Sequence, residues 1–529
     1  MLLRNTICAD LVGLVRTIWL LRVAPLSFFA YFFLEKSRIY NLTNYKRKET
    51  DMVFSSNEFL FLYLPLSLIF YFITPLRWRN LVLFLVSLVF YGWEKPIYLL
   101  IMIAVIVINY VFGHLIDRAG EDEKKRKRAL IIGVAINLLI LGFFKYADFL
   151  LENLGAIPFL SFIEPLGIQL PIGISFYTFQ SMSYIIDVYR GASPVQNKFV
   201  SFGAYVAMFP QLIAGPIVRY SDVDRELNDR KTTLSESADG ARRFVIGLAK
   251  KVLLADTAGA LWEQIRDIPR DQASVLLLWL GIILYAFQIY FDFSGYSDMG
   301  IGLGKILGFH FPENFNYPYI SKSITEFWRR WHMTLSTWFK EYVYIPLGGN
   351  RHGTKRLVFN LLVVWFLTGF WHGADWNFIL WGLYYFVLLV VEKLFLKKWI
   401  DKLPKALSHV YALFFILIGW LIFYFKSDFG GFEALSSYFL GMFGGLSLPL
   451  CNLEFGYSLI RNLLLMAALG FACTPYPKEL LMGLKKKYGQ SARGTALTLV
   501  CDLALVMIFV LCIVYISSSD YRPNIYFEF

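Results

Sequence analysis

The sequence predicts an all-α, polytopic membrane bundle, and three observations carry that prediction. Of 529 residues, 57% are hydrophobic, and the mean hydropathy is +0.53; a soluble domain is typically about 45–50% apolar. Apolar stretches of roughly 15 to 25 residues recur along the chain, the length a helix needs to cross a bilayer. The short-period alternation of a transmembrane β-strand is missing from them.

Taken in order, the apolar segments fall near 59–74, 80–92, 97–116, 129–151, 172–188, 199–214, 243–258, 274–291, 357–370, 376–396, 408–425, 458–473 and 496–517. They predict roughly 11 to 13 membrane helices in one bundle, some broken or re-entrant, enclosing a central polar tunnel or funnel. Residues 292–353 are more polar and aromatic. This stretch is expected to form partly buried, partly horizontal helices and loops, within a motif-bearing core at about 280–395.

The net charge is +12. The basic residues sit in short loops, as in Glu121 to Arg128, Arg351 to Arg356 and Lys485 to Lys487. That is the distribution of a membrane protein with positive cytoplasmic loops, so no nucleic-acid partner is expected. Cys8, Cys451, Cys473, Cys501 and Cys512 form no metal-type pair, and a disulfide framework is not expected. No His-Glu-x-x-His pattern occurs, so no metal site is expected.

The amino terminus conflicts with the charge rule. If segment 59–74 runs inward, Arg77, Arg79 and the loop Glu121 to Arg128 are all cytoplasmic. An additional span at 9–34 would put Lys36, Arg38, Lys46, Arg47 and Lys48 outside. The conflict disappears if the native chain starts at Met52. Residues 1–51 are therefore expected to be an over-extended start, the alternative being a real extra anchor, and 52–529 to be one bundle.

Four polar clusters interrupt the apolar pattern. Phe291 to Asp298 is expected to end a long helix and puts Asp292 near membrane depth. Asp292 could handle protons or orient a histidine; alternatively Ser294 or Asp298 caps the next helix, with Gly295 in the turn. In the second cluster, Ser323 and Glu326 match a capping box. The helix after them carries Trp328, Trp331, Leu335, Trp338 and Tyr342 on one face. Arg329, His332 and Ser336 form a neighbouring stripe that looks into one space. Arg330 is expected at lipid phosphate. In the third cluster, Gly348, Gly349 and Asn350 mark a tight turn without the residues of a nucleotide-binding loop.

The fourth cluster, Trp371-His372-Gly373-Ala374-Asp375-Trp376-Asn377, breaks a hydrophobic segment. The apolar run before it, 357–370, spans only about 21 Å at 1.5 Å per residue. It should stop inside the roughly 30 Å hydrocarbon core. A neutral histidine there could take a proton from a hydroxyl that attacks an acyl carbon.

Together these residues resemble the membrane-bound O-acyltransferases. The resemblance rests on Trp371-His372-Gly373 after an apolar helix and on Phe327-Trp328-Arg329-Arg330-Trp331-His332-Met333-Thr334-Leu335-Ser336. It extends to Gln288 to Met299 and to Tyr344-Ile345-Pro346-Leu347-Gly348-Gly349-Asn350-Arg351, and it covers Met52 to the carboxyl terminus. It is similar to the bacterial branch that O-acetylates alginate-type polysaccharides. It implies His372 as catalytic residue and His332 as the second active-site histidine. The candidate substrate-binding or supporting residues are Asp292, Ser294, Tyr296, Arg329, Trp331, Ser336, Asn350 and Trp371.

The resemblance further implies a cytosolic acyl donor, acetyl-coenzyme A or another acyl thioester, with no bound cofactor. The acceptor would be an exported or cell-wall polysaccharide, reached through an extracytoplasmic esterase-like partner, and the location the bacterial cytoplasmic membrane. The alternatives are D-alanyl transfer from a carrier protein to teichoic acid, and, from another class, a transporter using Asp292, Asp298 and the arginines as a polar path. Against transport stand the missing inverted repeat and the His332 and His372 pair.

Overall fold

A computed structural model describes residues 52–518 except 94, 214 and 490. The expectation for residues 1–51 lies outside the described residues. All regular structure in the described part is helical. Six helices are long and apolar enough to cross a membrane: α3 (Tyr98–Arg118), α4 (Glu123–Gly155), α10 (Val275–Leu307), α14 (Trp376–Val391, continuing to Ile400), α15 (Lys405–Tyr424) and α20 (Ala492–Ser518). A seventh is the bent pair α17 (Leu453–Arg461) and α18 (Leu463–Ala472), broken by 60°. Between these lie α1 (Leu64–Ile73), α2 (Arg79–Tyr91), α5 (Ile174–Arg190), α6 (Phe199–Ala207), α7 (Tyr220–Asn228), α8 (Leu234–Ala249), α9 (Asp256–Arg266), α11 (Ile324–Trp328), α12 (Met333–Phe339), α13 (Gly353–His372), α16 (Gly431–Met442) and α19 (Tyr476–Tyr488). The chain is a multi-pass, all-α membrane protein.

Helix α10 is the axis of the bundle. The apolar window of α10 is 72% buried, against 11–39% for the other five long helices, whose apolar faces are left for lipid. Glycines let α8 pack against it at backbone distance. A Cβ on Gly247 would lie 2.6 Å from the Gly295 carbonyl oxygen, and one on Gly240 2.6 Å from that of Gly302. Small residues are the usual means of close helix approach where lipid removes the hydrophobic drive. On the other side of the bundle, Asn109 of α3 and Asn137 of α4 exchange two amide hydrogen bonds of 2.9 Å while fully buried.

Two sequence expectations fail here. Helix α10 does not end at Phe291 to Asp298; it continues to Leu307 and stops at Gly308, whose φ of 88° suits only glycine comfortably. Gly295 is therefore a packing residue and not a turn. Asp298 caps nothing; it accepts from Arg243 and Lys250 of the neighbouring segment. The reason is tertiary: the polar side chains in mid-helix find partners on α8 and the turn that follows it, so the helix need not break.

The second failure is the continuous helix after Ser323. Ser323 Oγ does accept from Glu326 N at 3.0 Å, but the Glu326 carboxylate accepts from Lys322 N and pairs with Arg330. Helix α11 ends at Trp328, and α12 starts after His332, which sits in the left-handed region at φ 43°. The segment 314–316 competes for the backbone: Asn316 N donates to Arg330 O, and Met333 N donates to Asn314 O, both at 2.9 Å. The shared stripe of Arg329, His332 and Ser336 is thereby undone. Arg330, tied to Glu326, is not a free lipid anchor.

Candidate active site

Helix α13 delivers His372 as its last residue. Starting at Gly353, its 20 residues extend about 30 Å, longer than the apolar run alone suggested. Gly373 is extended at φ −167°, and Asp375 starts α14 by accepting from Asn377 N at 3.3 Å. The other Asp375 oxygen accepts from Ser427 N at 2.7 Å. A side chain at Gly373 would strike the Phe378 ring at 2.2 Å, so the chain can turn here only without one.

A helix end leaves carbonyls without an intrahelical partner, and buried ones need another donor. Adjacent residues of α4 take them. Tyr146 OH donates to Phe370 O at 2.6 Å, and the Lys145 ammonium donates to Trp371 O and, at 3.2 Å, to His372 O. Lys145 also lies 3.4 Å from Ser175 Oγ. No carboxylate pairs with it among the described residues. The cation therefore sits at the negative end of α13, where the helix dipole favours it.

The half-buried His372 ring is enclosed by aromatic edges. Its centroid lies 5.0 Å from that of Trp371, 4.9 Å from Trp381 and 5.3 Å from Phe423. Neither ring nitrogen is hydrogen-bonded among the described residues. The ring lines a cavity with Lys145, Gly173, Ser175, Ile289 and Trp371.

His332 also approaches Trp371, with 6.1 Å between their ring centroids, and is 2% exposed. Its Nδ1 is 2.9 Å from Asn314 Oδ1. Asn314 uses its amide nitrogen on Ser297 Oγ, and its oxygen also accepts from Thr334 Oγ1. The amide oxygen is thus an acceptor, which makes His332 Nδ1 the donor and leaves Nε2 as an unprotonated lone pair. That Nε2 has no hydrogen-bond partner. His332 lies in the connection between membrane spans, and burial without an acidic neighbour pushes its pKa down, favouring this neutral form.

The structure brings His332, Trp371 and His372 together and sets the other candidates apart. Asp292 and Tyr296 face away from the histidines: Lys251 Nζ bridges Asp292 at 2.7 Å and Asp256 at 2.6 Å, and Tyr296 stacks on Phe54. Ser294 is buried in the same helix with no partner for its hydroxyl. Trp331 packs behind the site on Phe315 and Trp420. Arg329, Ser336 and Asn350 are exposed.

Four residues were missed by the sequence reading. Asn314 and Ser297 hold His332; Ser297 lies in the Phe291 to Asp298 cluster without an assigned role there, and nothing in the local sequence of Asn314 marks it. Ser175 enters only through the packing of α5. Lys145 was findable: it is the lone Lys or Arg in the apolar stretch 129–151, and ionisable groups at membrane depth are usually functional.

A model of the membrane-bound O-acyltransferase family matches residues 8–431. A protein of Azotobacter vinelandii named probable alginate O-acetylase is 48% identical over 378 residues, 70% of this chain and 75% of its own. The peptidoglycan O-acetyltransferase of Helicobacter pylori is 36% identical over 441 residues, 76% and 82% of the two chains. The teichoic acid D-alanyltransferase of Bacillus subtilis is more distant, at 30% over 276 residues, 48% and 68% of the two chains.

Proposed function

The chain belongs to the membrane-bound O-acyltransferase family, and from that premise we propose that it moves an acetyl group from a cytosolic thioester to a hydroxyl of an exported or cell-wall polysaccharide. The observation that carries this reading is the pair of histidines that both approach Trp371, one with a fixed tautomer and an unpaired Nε2. Two relatives named for O-acetylation support acetyl over D-alanyl transfer.

In the proposed reaction the His372 imidazole takes the proton of the acceptor hydroxyl as its oxygen attacks the thioester carbonyl. The C–O bond forms, the carbonyl becomes a tetrahedral oxyanion, and the C–S bond then breaks. The thiolate leaves and takes the proton back from the imidazolium, giving ester and free thiol. Lys145 lines the same cavity and, when protonated, sets positive potential where the oxyanion develops. His332 is not part of that cavity's lining and takes a supporting place beside Trp371. No bound cofactor enters this scheme; acetyl-coenzyme A is the proposed donor.

Helix lengths support a reaction within the cytoplasmic membrane, toward its outer edge. The basic residues Arg128 and Arg356 precede the apolar parts of α4 and α13. From either, the contact between Lys145 and the end of α13 is about 25 Å along the helix. With both loops cytoplasmic, the site lies near the outer edge of a roughly 30 Å core. An acceptor polymer, or an extracytoplasmic esterase-like protein that relays the acetyl group to it, would meet the donor there.

His372→Ala, expressed in a deletion strain at wild-type level, is expected to lower acetylation of the polymer by about 10²- to 10⁴-fold. Full acetylation by the folded variant would overturn the assignment. Mass analysis of the polymers separates the alternatives: loss of alanyl esters with acetyl esters intact would favour D-alanyl transfer.

A further inference from the structure

We propose that a cavity on the basic-loop face, remote from the histidines in sequence and lined by none of the cavity residues named above, binds the phosphate of an anionic phospholipid. It is formed by residues 76–81 at the start of α2, residues 198–201 at the start of α6, and residues 227–230 after α7, and encloses about 370 Å³. Arg77, Arg79, Lys198 and Arg230 line it, with Asp229 as the one carboxylate. None of the four cations pairs with a carboxylate among the described residues. The site therefore carries uncompensated positive charge.

One wall is rigidly built. Arg230 is only 9% exposed. Its Nε donates to Tyr71 OH at 2.7 Å, and its Nη1 to Asn80 Oδ1 at 2.6 Å and Glu226 O at 3.2 Å. Its Nη2 is buried without a hydrogen-bond partner, which costs free energy and leaves the positive charge of this wall uncompensated within the protein. Asn80 is itself fixed by donating to Ser201 Oγ and Leu227 O. The guanidinium is also held over the Phe309 ring, 4.6 Å from its centroid.

The rim selects the source of the phosphate. Leu76, Trp78 and Phe199 line the cavity and are exposed, and Phe72 and Ile73 present further apolar surface beside it. Exposed tryptophan next to apolar surface is the signature of the membrane interface. The cavity also lies on the side of the basic loop: Arg126 donates to Tyr189 O at the end of α5, and Tyr110, in the second half of α3 about two turns before the loop, donates to Asn197 O beside Lys198. Cations below an apolar rim, on the leaflet side where anionic lipids concentrate, fit a headgroup whose acyl chains lie along α1. A freely soluble phosphate would gain nothing from that rim.

The inference is independent of the acyl-transfer reading, and its test needs no activity. The full chain in neutral detergent is titrated with mixed micelles containing phosphatidylglycerol or phosphatidylcholine, and its melting temperature is followed. Phosphatidylglycerol is expected to raise it saturably and phosphatidylcholine not. The double variant Arg77→Gln/Lys198→Gln changes two exposed side chains and should fold. It is expected to need about 25-fold more phosphatidylglycerol, roughly fivefold per charge removed. Equal effects of both lipids, or an unchanged titration in the double variant, would overturn the proposal. So would stabilisation by inorganic phosphate or coenzyme A that matches phosphatidylglycerol and is lost in the variant, since the phosphate would then be soluble.

Discussion

At the residue scale, His332 shows how a neighbour decides chemistry. Its imidazole would be ambiguous alone; the Asn314 amide, oriented by Ser297, assigns the proton to Nδ1. Asn314→Leu removes that assignment and leaves a buried donor unpaired, which should cost about 1–3 kcal/mol of stability and, with the tautomer no longer fixed, lower acetyl transfer. Rates measured on membranes with equal amounts of folded protein check this, and an unchanged rate would show that the tautomer is immaterial. Lys145 offers a related prediction. Lys145→Met uncaps two carbonyls beside His372 and removes the one basic amine that lines its cavity among the described residues, so it should lose most activity, whereas Lys145→Arg should keep a measurable part. Equal activity of the two variants would assign Lys145 no part in transfer.

At the scale of elements, charge and packing inside α10 separate stability from chemistry. Lys251 bridges Asp292 and Asp256, all three buried. Lys251→Met leaves two carboxylates without their cation and should cost about 3–5 kcal/mol, the usual consequence of breaking a buried pair. Asp292→Asn leaves the pair with Asp256 and should cost clearly less. Thermal unfolding in detergent orders the two, and the reverse order would refute the bridge. The contact of α8 with α10 is equally sharp: Gly295→Leu must displace the Gly247 backbone, so a clear fall in melting temperature is expected. Sequence reading misjudged both features because it treated a polar cluster as an interruption. A long helix tolerates such a cluster when another helix supplies its partners.

At the scale of the whole molecule, the contact between Lys145 and the end of α13 fixes relative direction. Two helices that begin beside basic loops meet at matching depth, so they run parallel from one face. Single cysteines placed at Lys124 and Arg351 in a cysteine-free background should react with an impermeant thiol reagent from the same side. A cysteine at Phe159, beyond the other end of α4, should react from the opposite side. Labelling of Lys124 and Arg351 positions from different sides would break the orientation on which the proposed cytosolic donor depends.

Much of this protein was legible in the sequence. Hydrophobic run length determined the membrane bundle, since only hydrogen-bonded helices satisfy their backbone in lipid. The break at Trp371-His372-Gly373 marked where α13 ends, at His372, but the helix has 20 residues and extends about 30 Å, not the roughly 21 Å of the apolar run. Tertiary structure alone decided which polar residues share a space. Arg329, His332 and Ser336 were neighbours on an imagined helix, but the hydrogen bonds of residues 314–316 broke that helix and left only His332 inside. Asp292 and Phe293 are adjacent in sequence, yet one meets Lys251 and the other packs on His332. Periodicity places residues on the faces of one helix, whereas a site is made by what the opposing helices bring to them.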